Sequence, residues 1–145
     1  MIMMILENVK LNTQYNCHVE LMNLIDFKNS VELTDSDKKI FCDATLLLAE
    51  HKEFADLKKR VVIFIFADKS FTLTFNENQY GSQGNYAAIN YPKWVQLDTK
   101  TKLICITEEL VHHFWNISDE IETSRIVCEI VPNLSYDKST GNYIF

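Results

Sequence analysis

The chain predicts an α+β fold of minimal size: a backing helix, a small three-stranded sheet, a motif helix and a following helix. Three observations lead there. Apolar residues recur at helical spacing in two stretches, residues 40–54 and 103–117. Between them, Val61-Val62-Ile63-Phe64-Ile65-Phe66 is an unbroken β-branched and aromatic run. Only three glycines and two prolines occur in 145 residues, which leaves little room for long irregular segments.

Composition narrows the class. Hydrophobic residues at 47% against 23% charged residues describe a globular domain rather than a disordered chain. A single domain over 1–145 is expected, with an N-terminal part at 1–33, a core at 34–132 and, at 133–145, a tail or late edge strand. The net charge of −6 argues against nucleic acid, whose phosphates demand a positive footprint. No window approaches the ~20 apolar residues of a membrane span. The opening Met1-Ile2-Met3-Met4-Ile5-Leu6 is apolar but too short for a signal h-region, and Glu7 follows without a basic n-region. Cys17, Cys42, Cys105 and Cys128 are widely spaced without a C-x-x-C pair, so they read as free buried thiols. A cytoplasmic protein is expected.

Residues 2–28 support two readings. Cys17, Val19, Leu21, Ile25 and Phe27 alternate as in a strand, while Val19, Met22 and Ile25 fit a helical stripe. A strand or short helix should precede the core. Thr34-Asp35-Ser36-Asp37 then supplies cap chemistry and first-turn negative charge. Ile40, Ala44, Leu47, Leu48 and Phe54 follow, predicting a helix over 36–59. His51 falls within that stripe as a hydrogen-bonded packing residue.

The run from Val61 to Phe66 reads as a strand buried on both faces. Phe71, Leu73 and Phe75 alternate with Ser70, Thr72 and Thr74, which predicts a half-buried partner and a hairpin. A polar loop over 77–84 and a third strand over 85–91 follow, ended by Pro92. Leu103, Ile106, Leu110, Phe114 and Ile117 mark the motif helix, 101–116. Ser118, Asp119 and Glu120 start another helix, which must stop near Pro132. Its β-branched latter half leaves a strand there as an alternative.

The chemistry concentrates in the motif helix. Glu108, Glu109, His112 and His113 crowd into six residues, and half of the chain's four histidines are there. Residues four apart share a helix face, so Glu108 meets His112 and Glu109 meets His113. At about 100° per residue, Cys105, Glu108, Glu109 and His112 lie opposite the apolar stripe. Against H-E-x-x-H, the run Glu108-Glu109-Leu110-Val111-His112 keeps the glutamate and the last histidine, with Glu108 at the first-ligand position.

E-E-L-x-H-H, after a short apolar run and before an aromatic pair, resembles variants of the helix in ImmA/IrrE-type zincin metallopeptidases. The likeness covers about thirty residues, and the order helix, strands, helix, helix is also that of a minimal zincin. In that family the last histidine ligates zinc and the glutamate polarises the attacking water; the resemblance gives those roles to His112 and Glu109. A hydrolytic zinc site needs three protein ligands and an open position. Glu108, one turn from His112, is the expected second ligand, unless Glu109 ligates in its stead. An antiparallel helix pair about Ile117 would bring Glu122 level with His112, so Glu122 is the expected third ligand, with Asp119 and Glu129 behind it. His113 reads as a supporting or packing residue, and thiolate ligation by Cys105 stays open.

Two other readings accompany this one. Glu109-Leu110-Val111-His112 is also the E-x-x-H of di-iron helical bundles, which the strand-rich middle contradicts. Glu108, Glu109 and His112 are equally at home on a solvated helix face. The sequence therefore carries two functional expectations: a zinc-dependent peptidase acting on a protein or peptide, or a non-catalytic zincin-like scaffold that binds a protein partner. Neither involves nucleic acid or a membrane.

Overall fold

The apolar run after Arg60 forms β2, Val62–Ala67, the middle strand of a three-stranded sheet. The structure is a computed structural model that describes residues 11, 13–29, 31–68, 70, 77, 80 and 85–145. β2 lies between β1, Ile25–Asn29, and β3, Tyr86–Asn90, and runs parallel to both. Val62, Phe64 and Phe66 are fully buried on one face and Ile65 is buried on the other. A strand covered largely on both sides needs the continuous apolar run seen here, because its positions on either face meet protein more than water.

Each edge of β2 carries a parallel neighbour. The partner expected over residues 71–75 lies outside the described residues. A parallel pair requires a crossover rather than a tight turn, and α2, Asp35–Ala49, supplies it between β1 and β2. The third strand therefore comes from the N-terminal part. There both readings of the pattern are realised in succession, with α1 at Val19–Met22 and β1 immediately after it.

Thr34 caps α2, its Oγ1 accepting the Asp37 N–H at 3.1 Å. The helix stops at Ala49, short of the expected residue 59. Beyond Leu48 the next stripe positions fall on His51 and Lys52, polar residues that do not carry the apolar stripe onward, although the His51 side chain is itself buried. The His51 ring instead accepts the Glu53 N–H at 3.1 Å, and a 3₁₀ turn follows at Phe54–Asp56.

After β3 come a single turn, α3 at Tyr91–Trp94, then α4 at Thr99–Trp115 and α5 at Glu120–Ile130. α2 packs on α4, and α4 on α5. Aromatic rings knit the sheet to these helices. Phe41 of α2 stands edge-on to Phe27 and Phe64, with centroids 4.9 and 5.0 Å apart, and Phe66 meets Trp94 at 5.3 Å. Phe41 is fully buried, so Phe41→Ala would cost about 3–5 kcal/mol. α5 stays helical despite its β-branched end, because Ile126, Val127 and Ile130 all reach the core at helical spacing. Packing outweighs propensity there.

The tail is itself structured. β4, Ser135–Tyr136, and β5, Tyr143–Ile144, form an antiparallel pair against α5. All four cysteines are free thiols. Among the described residues no helix is long and apolar enough to cross a membrane.

Candidate metal centre

α4 begins at Asp98, whose carboxylate accepts the Thr101 N–H at 2.7 Å. Ile104, Ile106, Leu110, Val111 and Phe114 bury one side of it. Cys105, Glu108, Glu109 and His112 are half-buried on the other, as their spacing predicts. α4 ends in a left-handed residue, Asn116, at φ 53° and ψ 51°. The chain then folds back over His112: the Ile117 N–H donates to the His112 carbonyl at 3.2 Å, and His112 Nδ1 lies 2.8 Å from the Ile117 carbonyl. A carbonyl can only accept, so Nδ1 carries the ring proton and Nε2 of the neutral ring keeps its lone pair. Thr123 Oγ1, 3.4 Å from Nδ1, gives its own proton to the Asp119 carbonyl and braces the same edge.

Two carboxylates gather around His112. Glu108, Glu120 and His112 each offer one ligand atom, and these atoms all lie within 4.8 Å of one another. His112 Nε2 and Glu120 Oε1 are 4.0 Å apart. Tetrahedral bonds of ~2.1 Å put ligand atoms about 3.4 Å from each other. Closing the remaining gaps takes shifts of up to about 1.4 Å, and Glu120, whose side chain is 70% exposed, is free to supply its share. One imidazole and two carboxylates suit Zn²⁺ in charge and donor type, and the set leaves an open position. In donor type and number the residues fit the ion.

The expected third ligand, Glu122, is engaged elsewhere. Both of its oxygens take Arg125 donors, at 2.5 and 3.1 Å, and this pairing holds its exposed carboxyl below the usual range. Glu120 stands beside His112 in its place. Two residues apart on a helix means about 200° of rotation, so only one of the pair can face α4. The candidates behind Glu122 are committed too. Asp119 caps α5 by accepting the Glu122 N–H at 2.8 Å, and Glu129 binds His51 Nε2 and Arg125 Nη1, each at 2.6 Å.

Glu109, the expected base, adjoins this cluster. Burial raises its pKa above the ordinary carboxylate value, and the charge of His112 partly opposes the rise. Burial lowers the His113 pKa, against a hydrogen bond with the Tyr86 backbone in β3 that raises it; His113 thus links α4 to the sheet edge. The Cys105 thiol is pushed up by burial and then by Glu108 and Glu109, which disfavours the thiolate a metal would need.

Two contributors escaped the sequence reading. Glu120 was legible only as a helix start. Taking Asp119 as the cap and rotating α5 from there would have found it. Tyr143, whose hydroxyl donates to Glu108 Oε1 at 2.8 Å, lies 35 residues along the chain with no pattern pointing to it. Set against family models, curated proteins and solved structures, the chain matches none of them.

Proposed function

We propose that this chain binds a zinc ion between Glu108, His112 and Glu120 and hydrolyses peptide bonds there. The observation that carries the reading is the His112 tautomer. Metal-bound histidines usually donate their other N–H to a carbonyl or carboxylate, and the Ile117 carbonyl takes that role here. Zn²⁺ so bound would polarise a peptide carbonyl and lower the pKa of water to ~7. Glu109 stands one residue from Glu108, where H-E-x-x-H carries its base. Its carboxylate would accept the proton of the attacking water and return it to the leaving amine. A carboxyl raised by burial moves towards the working pH and suits that exchange. The likeness of E-E-L-V-H-H to the ImmA/IrrE-type helix supports the same chemistry. The same reading assigns the protein to the cytoplasm.

The competing reading is a non-catalytic scaffold that binds a protein partner. It draws on the spread of the donor atoms, up to 4.8 Å, and on the exposure of Glu120, both of which a solvated acidic face would share.

Metal content and zinc-dependent melting separate the two. The peptidase reading expects one zinc per chain and a rise in Tm on adding zinc, reversed by chelator. At free zinc a hundred times Kd the stabilisation is about 2.7 kcal/mol. Peptide hydrolysis should then vanish in Glu109→Gln while zinc stays bound. Absence of both zinc and a thermal response would sink the site.

A further inference from the structure

The hairpin formed by β4 and β5 reaches both acidic members of the cluster. Tyr143 in β5 donates its hydroxyl proton to Glu108 Oε1 at 2.8 Å. Gly141, in the turn before it, lies directly on the start of α5. A Cβ added there would meet the backbone carbonyl carbon and oxygen of Glu120 at 3.2 Å, and φ is +83°. The Gly141 carbonyl accepts the hydroxyl of Ser124, a buried residue of α5. The turn is also internally tied, since Asp137 Oδ1 accepts both the N–H and the hydroxyl of Ser139.

We infer that this C-terminal hairpin is the supporting wall of the metal centre: Tyr143 positions the Glu108 carboxylate, and Gly141 seats the helix start that carries Glu120. The inference rests on the zinc reading above. The phenol takes one of about four lone-pair positions on the carboxylate and leaves the others free for a cation. Partners of this kind orient a ligand and typically change metal affinity 10–100-fold when removed. Zinc affinity and hairpin docking are consequently coupled, and the coupling is reciprocal: whatever factor the docked hairpin adds to zinc binding, zinc adds to docking.

Titration of full-length protein with zinc, read by calorimetry, tests this beside trypsin cleavage after Lys138, an exposed residue of the hairpin turn. In the wild type, zinc should slow that cleavage. Tyr143→Phe keeps the ring and removes only the hydroxyl. It should leave the zinc-free Tm within a few degrees, weaken zinc binding roughly 10-fold or more, and abolish the protection at Lys138. Gly141→Ala strains the turn and should weaken zinc binding as well. Tyr143→Phe with wild-type or tighter zinc affinity would overturn the inference while leaving the zinc site intact. Wild type that binds no zinc would overturn the site itself, and the inference with it.

Discussion

His112 and Ile117 are joined by a hydrogen bond from Nδ1 to the backbone carbonyl at 2.8 Å, so the end of α4 selects the tautomer of the histidine inside its own last turn. In the neutral ring, long-range ¹H–¹⁵N spectra should therefore show Nδ1 protonated and Nε2 bare. Zinc should shift the Nε2 resonance first, and His112→Ala should lose zinc binding altogether. A ring found with its proton on Nε2 would remove the main support for the site.

Asn116 makes that geometry possible. It adopts φ 53°, a conformation that costs a β-carbon-bearing residue about 1–2 kcal/mol and that asparagine and glycine tolerate best. Asn116→Ala should lower stability by about 1 kcal/mol, whereas Asn116→Gly should be neutral or better in urea unfolding. Equal losses in both would show that the side chain, not the backbone angle, is what matters.

Glu109 predicts a pH signature in zinc-free protein. Its folded pKa is raised above the ordinary 4.5, chiefly by burial. The unfolded chain releases this proton first, so stability falls as pH rises from 4.5 through the folded value. Glu109→Gln removes the penalty. Its Tm should match the wild type below the ordinary carboxylate range and exceed it at neutral pH. A difference that is constant with pH would point to a steric cause.

Asp37 and Lys102 tie α2 to α4 through an ion pair of 3.0 Å, with side chains only 2% and 14% exposed. The ammonium also lies 5.1 Å from the Trp94 ring. Lys102→Ala leaves the buried carboxylate without its cation and should cost about 3–5 kcal/mol. The double variant Asp37→Leu/Lys102→Met should recover most of that loss. Thermal melts of Asp37→Leu, Lys102→Met and the pair complete the cycle.

Much of this architecture is legible from residue order alone. Cap chemistry at Thr34, the buried run of β2 and the stripe from Leu103 to Phe114 each depend on neighbours within a few positions, and local periodicity reports such features directly. The opposed face of α4, with Glu108 and His112 one turn apart, follows from the same 3.6-residue repeat. What the repeat leaves open is where other segments arrive. β1 lies beside β2, because a strand's partner is chosen by a crossover and the core it encloses. Glu120 rather than Glu122 turns towards His112, because the cap at Asp119 sets the rotation of α5 and Arg125 draws Glu122 to its far side. Tyr143 meets Glu108 across 35 residues only once the hairpin docks. Sequence by itself determined the main helices, the central strand and the acidic, imidazole-bearing face. Tertiary packing decided which side chains complete it, since helix rotation and strand partnership are settled by long-range burial that no local spacing encodes.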